Sequence, residues 1–182
     1  MSSTGTLFTV GHSNRTLDEL IALVKSARLD VIADVRRFPR SRRHPWFDGR
    51  TLGPALVEAG VEYHHLEGLG GHRGTPPDEA QALVGALDEP WSGYAWHART
   101  APEFASDLGR LEVLAQTQRT AVLCAEKSPA HCHRSVIADL LVLQGWKVVH
   151  VTEDGETAHE KRDEAELEDG LLTYRPLQGR LF

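Results

Sequence analysis

Eleven consecutive residues, C-A-E-K-S-P-A-H-C-H-R at positions 124–134, hold two thiols, two imidazoles, a carboxylate and a guanidinium. A thiol just ahead of a helix N-terminus, with arginine and histidine beside it, is favoured as thiolate and becomes nucleophilic near neutral pH. Cys132 takes that position, with His133 as the neighbour able to accept the thiol proton and Glu126 as a candidate general acid or base. Cys124 ends an apolar run, so it reads either as a second reactive thiol or as a buried structural one. These are the only two cysteines in the chain, too few for a disulfide framework, and reduced thiols are expected.

Zinc is a second chemical reading, because Cys124, His131, Cys132 and His133 carry suitable donor atoms. The spacing argues against it: there is no Cys-x-x-Cys pair, and adjacent residues such as Cys132 and His133 seldom chelate one ion together. No metal and no other cofactor is therefore expected.

A second concentration is basic. Residues 36–50 contain six arginines (Arg36, Arg37, Arg40, Arg42, Arg43 and Arg50) against one acid, Asp48, interleaved with Phe38, Trp46 and Phe47. Guanidinium groups suit phosphate, and aromatic faces suit stacking on a base or sugar. Residues 152–169 carry nine acids and two bases, so the net charge of −6 conceals segregated signs. The chain is not a general nucleic-acid coat, yet it owns one anion trap. The glycine-rich stretch 68–74 lacks the Lys-Ser or Lys-Thr pair of a Walker loop and is a weak phosphate signal.

What must position these groups is a set of short buried strands. Apolar or β-branched runs at 7–10, 30–35, 61–64, 120–124 and 146–151 alternate with helical patterns. Thr16 with Glu19, and Thr100 with Glu103, read as capping boxes; further helices are expected over 52–59, 76–87 and 135–144. Strands alternating with helices give right-handed crossovers, hence an open three-layer α/β domain whose mainly parallel sheet of about five strands carries helices on both faces. In such sheets ligands bind at the carboxyl ends of the strands. There the chain places His12, Ser13 and Asn14, then Arg36, then Gly70 to Arg73, and then the cysteine run. The acidic stretch from 152 onward reads as a tail, with a solvated helix over 160–168.

With 182 residues, 41% hydrophobic and 25% charged, the chain reads as one domain over 1–182 that can bury a core. Its apolar runs are too short for a bilayer, and its start, MSSTGT, is polar, which predicts a soluble, cytoplasmic protein with no membrane partner.

The segments T-V-G-H-S-N, D-V-R-R-F-P-R-S and L-C-A-E-K-S-P-A-H-C-H-R-S-V-I-A-D-L-L-V-L-Q-G-W-K-V-V-H-V together resemble the bacterial and archaeal family called domain of unknown function 488. The resemblance spans about residues 9–151 and implies a compact α/β domain and no established activity. By it Gly11, His12, Ser13, Asp34, Arg36, Pro39, Tyr63, Arg73, Tyr94, Cys124, Glu126, Cys132, His133 and Arg134 match motif positions. Trp96 stands where many relatives carry a carboxylate, so no acid-base role falls there. A looser similarity, to rhodanese-like and cysteine-phosphatase domains, rests on a D-V-R segment and a cysteine loop ending in arginine; the loop here is longer than their anion cradle.

These residues predict an enzyme, a transferase or hydrolase, acting on a phosphorylated or nucleotide-like substrate or a nucleic-acid end. Cys132, His133, Glu126, His12 and Cys124 would do its chemistry, and Ser13, Asn14, Arg36, Arg73, Tyr94 and Arg134 would hold the substrate. The competing expectations are a non-catalytic nucleotide or nucleic-acid binding module built on residues 36–50, and rhodanese-like or phosphatase-like thiol chemistry.

Overall fold

The computed structural model describes residues 4–175; residues 1–3 of the polar start and 176–182 of the acidic tail lie outside the described residues. Five strands run parallel: β1 (Thr6–Gly11), β2 (Val31–Asp34), β3 (Glu62–His65), β4 (Thr120–Cys124) and β5 (Lys147–Thr152). A sixth, β6 (Gly155–Ala158), adds antiparallel to β5, giving the order β3-β2-β4-β1-β5-β6. Each buried strand feeds both faces because successive side chains alternate. Phe8 and Val10 join Ile32, Ala121 and Leu123 under helices α1 (Leu17–Ser26) and α2 (Gly49–Glu58). Leu7, Ala33, Val35, Val122 and Val148 face the other way, under α4 (Trp91–Thr100), α5 (Pro102–Thr117) and α6 (Arg134–Leu143); the four-residue α3 (Gln81–Val84) adds Val84 to that side. The result is the expected three-layer α/β arrangement with one strand more than expected. No helix among the described residues is long and apolar enough to cross a membrane.

The Thr16 capping box forms, with Glu19 N–H on Thr16 Oγ1 at 3.2 Å and Thr16 N–H on Glu19 Oε2 at 2.7 Å. Its expected twin does not. Thr100 ends α4 and spends its hydroxyl on Trp96 O, so α5 starts at Pro102 with Ala101 as its cap. Proline at that first position gives up no hydrogen bond, because the first-turn N–H is unpaired anyway. The helix expected over 76–87 shrinks to a single 3-10 turn at Asp78–Ala80 followed by α3.

The largest correction lies after β5. Residues 160–168 form no solvated helix: an irregular stretch leads to an antiparallel hairpin, β7 (Ala165–Glu168) and β8 (Leu171–Tyr174). Asp169 and Gly170 both take positive φ, 52° and 79°, as a two-residue Asp-Gly turn requires. Ala165, Leu172 and Tyr174 are buried in the core beside α6. The acidic residues sit on the outside of a docked hairpin.

Candidate active site

β4 lies between β2 and β1 but sends its crossover helix α6 to the opposite face from α1 and α2, so the loops leaving these three strands part above the sheet. That divergence is where open α/β sheets make a crevice. The backbone continues the sheet's pairing past the strand ends: His12 N–H donates to Cys124 O and Ser13 N–H to Ala125 O, both at 2.9 Å, and Val35 N–H to Leu123 O at 3.0 Å. Gly11 is required by this closeness, since a Cβ there would lie 1.9 Å from Glu126 O.

A cavity of about 340 Å³ opens at this point. Among the residues lining it are His12, Arg36, Arg37, Arg40, Tyr94, Cys124, Glu126, His131, Cys132 and His133. Sequence reasoning placed seven of these in the site, and the fold brings those seven to one opening: His12, Arg36, Tyr94, Cys124, Glu126, Cys132 and His133. Four expected substrate contacts lie off its walls. Ser13 and Asn14 hydrogen-bond each other, and Arg73 clamps the carbonyls of Glu67, Gly68 and Gly70. Arg134 is 1% exposed, with its three nitrogens on Cys132 Sγ, Thr9 Oγ1 and Glu126 O. Arg36 reaches the wall but is held by both Asp34 oxygens and Phe47 O, so it supports the site from below.

The floor is made of sulfur and imidazole. His133 Nε2–H donates to Val35 O at 2.9 Å, which leaves Nδ1 facing both Cys124 Sγ and Cys132 Sγ at 3.7 Å. Tyr94 packs edge-on against this ring at 5.0 Å and fixes its own hydroxyl on Leu69 O. Gly71 lets the loop after β3 close over it, a Cβ there meeting Nδ1 at 3.0 Å. Arg134 Nε–H donates to Cys132 Sγ at 3.2 Å. Of the two thiols Cys132 is the one drawn toward the thiolate: a hydrogen bond from the Cys124 thiol lowers its pKa against the cost of burial, helped by Arg134. That shared hydrogen bond, together with burial, pushes the Cys124 thiol up.

The walls supply a base and charge. His12 donates Nδ1–H to Ser13 O and accepts a long 3.4 Å contact from Arg36 at Nε2. Burial, opposed by the bond to Ser13 and reinforced by Arg36, lowers its pKa to about 4, so it is uncharged at neutral pH. Glu126 is exposed and lines the cavity. Arg37 and Arg40, which sequence reasoning left among the loop arginines, stand at the mouth with His72 and His131. Their placement had one legible signal: Arg37 directly follows, and Arg40 stands four residues after, the buried Arg36 just past the end of β2.

Behind the floor a second buried cluster surrounds Asp139, in the middle of α6. Its Oδ1 accepts from His159 Nε2–H at 2.8 Å and from Arg162 N–H at 3.0 Å, its Oδ2 from Arg162 Nη1 and from Tyr174 O–H at 2.7 Å. His159 Nδ1 must then accept from His150 Nε2–H, at 2.9 Å, and His150 Nδ1 from Thr9 O–H, at 2.8 Å. Thr9 Oγ1 in turn accepts from Arg134 at 3.4 Å. The donors run one way, from Arg134 to Asp139. Sequence reasoning missed this chain, although a lone carboxylate inside the apolar run S-V-I-A-D-L-L-V-L was visible.

Comparison with protein families matches residues 16–141 to the family described as Domain of unknown function DUF488. Comparisons with curated proteins and with solved structures gave no match.

Proposed function

From the premise that this chain belongs to the DUF488 family, whose description names no activity, we propose that it is an enzyme, a hydrolase or transferase, acting on a small anionic, nucleotide-like substrate. One observation carries this: loops from the ends of β1, β2 and β4 and from the β3–α3 connection deliver sulfur, imidazole, carboxylate and guanidinium groups to one opening. Arg37 and Arg40 at the mouth suit the anion. Phe38, 63% exposed with the Arg37 guanidinium over its ring at 5.1 Å, and Trp91 offer flat faces to a base. His12, neutral and orientated by Ser13 O, serves as general base, and Glu126 as the second proton carrier. Cys124, Cys132 and His133 form the reacting floor, orientated by Arg134 and Val35 O.

The test is a turnover screen over nucleotides, phosphomonoesters and short single-stranded oligonucleotides, with Cys132→Ala and Glu126→Gln as controls. Each variant is expected to lower the turnover found by about 10²-fold or more. A turnover that both variants leave unchanged refutes the assignment. The second reading, a non-catalytic nucleic-acid module, is favoured by the exposed Phe38 beside Arg40, Arg42 and Arg43. It predicts oligonucleotide binding that weakens steeply with salt and is indifferent to Cys132.

A further inference from the structure

We propose that Cys124 Sγ, Cys132 Sγ and His133 Nδ1 bind one divalent ion of the zinc class, with its fourth position open to the cavity. The inference deepens the reading above, because it names the group at that enzyme's reacting floor, and it rests on four geometric facts.

The three donor atoms all lie within 4.8 Å of one another, and both sulfur-to-nitrogen distances are 3.7 Å. With metal–sulfur bonds of about 2.3 Å and a metal–nitrogen bond of about 2.0 Å, a tetrahedral site has sulfur–nitrogen edges of about 3.5 Å. Both sulfur–nitrogen edges are already at ligand spacing.

The imidazole is set as a ligand. Nε2–H is committed to Val35 O, so the lone pair is on Nδ1 and points at the sulfurs. A backbone carbonyl on the far nitrogen is the usual way a ligating histidine is orientated. Arg134 Nε–H on Cys132 Sγ supplies the corresponding support to a thiolate, spreading its charge.

Sequence adjacency, which argues against Cys132 and His133 sharing an ion, is overcome by a backbone turn. Cys132 is extended (φ −139°, ψ 146°) whereas His133 is helical (φ −57°, ψ −18°), and the change of direction between them swings both side chains toward Cys124. In a uniform strand they would project to opposite faces.

The fourth direction is open. All three ligands line the cavity, together with Glu126 and His12. Three protein ligands plus an open position are what distinguish catalytic from closed structural zinc sites. Two thiolates neutralise a divalent ion, so the positive charge left to attract the anionic substrate is that of Arg37 and Arg40 at the same cavity. The position suits a water, with His12 and Glu126 close by to manage its proton.

The experiment loads the full chain with Co²⁺ and, separately, Zn²⁺, after purification under reducing conditions. Expected are about one ion per chain, thiolate-to-cobalt charge-transfer bands and intense tetrahedral ligand-field bands, displaced by Zn²⁺. Cys124→Ser and Cys132→Ser should each abolish the charge-transfer spectrum or cut affinity by at least about 10²-fold, while the His133→Gln spectrum shifts. Because a variant could fail to fold, thiol labelling of the unaltered chain is a second measure: Zn²⁺ should protect both cysteines and a chelator should release them. No stoichiometric ion, no tetrahedral cobalt spectrum and labelling indifferent to metal would overturn the inference. Turnover by metal-free protein would remove the ion from the mechanism but leave the enzyme assignment standing. A bound ion with no turnover of any screened substrate would do the reverse.

Discussion

Two polar clusters are buried along α6, one at its start around His133 and one at its middle around Asp139, and they are finished differently. Around Asp139 every carboxylate lone pair is taken, by His159, by Arg162 twice and by Tyr174, and the outer ring nitrogens are matched in turn down to Thr9. Around His133 two sulfurs compete for one ring nitrogen, and an open face looks into a cavity. A buried charge costs several kcal/mol unless its hydrogen bonds are complete, so a complete set marks a structural element. Donor atoms that converge without completing one another mark a place where something else is meant to bind. By that criterion the Asp139 cluster holds the β7–β8 hairpin against α6, and the sulfur–imidazole floor is the place to which the proposed chemistry is assigned.

The largest effect that could break this contrast is on stability. Asp139→Ala leaves Arg162, His159 and the Tyr174 hydroxyl without their acceptor behind a 0% exposed position, and should destabilise the chain by about 3–5 kcal/mol. Cys132→Ala removes one sulfur at the cavity and one of the three acceptors of Arg134, whose other two bonds remain, and should cost about 1–3 kcal/mol. Urea denaturation of both variants measures the difference. Equal losses would mean that the two clusters are built for the same purpose.

The contrast was only half legible in the sequence. Strand ends, the Thr16 cap and the cysteine run could be read because each signal is local: alternation, a three-residue spacing, a dense motif. The partners of Asp139 could not, since His159, Arg162 and Tyr174 follow it by 20, 23 and 35 residues and meet it only when the tail docks. The Asp169-Gly170 pair was a readable hairpin signal, masked by the charge around it. α4 is not legible in the sequence because W-S-G-Y-A-W-H-A-R-T mixes glycine and aromatic residues without a clean apolar stripe, although five of its ten residues are buried. Arginine was read by charge alone. Burial separates Arg36 and Arg134, tied to protein atoms, from the exposed Arg40 at the mouth, with the half-buried Arg37, bonded to His72 O, between them, and burial is not written in a run of arginines.

A smaller effect sharpens the comparison through pH. His150 is 8% exposed, and burial, with His159 and Arg134 nearby, lowers its pKa to about 4. The unfolded chain binds that proton near pH 6.5, the folded one only near 4, so the stabilising contribution is full above about 6.5 and is lost as pH falls toward 4. The size is roughly 2 kcal/mol. Asp139, also lowered, opposing its burial through His159, Tyr174 and Arg162, loses its contribution at still lower pH, as its folded value is crossed. Protonating His150 puts a hydrogen on Nδ1, against Thr9 Oγ1, and reverses the donor order that leads from Arg134. Denaturation midpoints followed from about pH 7.5 down to about 4 should therefore fall in the unaltered chain, as the linkage between proton binding and folding requires. They should fall less far, but still fall, in His150→Gln, because His12 and His97, also lowered by burial, keep their shares. An unchanged slope in the variant would remove the histidine chain from the account.

The smallest expected effect concerns the mouth. Arg40 is exposed and, among the described residues, has no side-chain partner, so Arg40→Gln should change stability by no more than about 0.5 kcal/mol. If it meets an anion, its loss weakens binding of a phosphate-bearing probe and lowers the salt dependence of that binding by about one unit of slope. Arg36→Gln should behave oppositely. It strips the buried Asp34 of two hydrogen bonds and Phe47 O of its donor, so it should unfold more easily before any binding can be measured. Pyrophosphate binding to both variants across a salt series, beside their denaturation midpoints, separates an arginine that recognises from one that supports. Equal binding losses at equal stability would place Arg36 at the ligand as well, and the line between open and completed polar groups would have to be redrawn through β2.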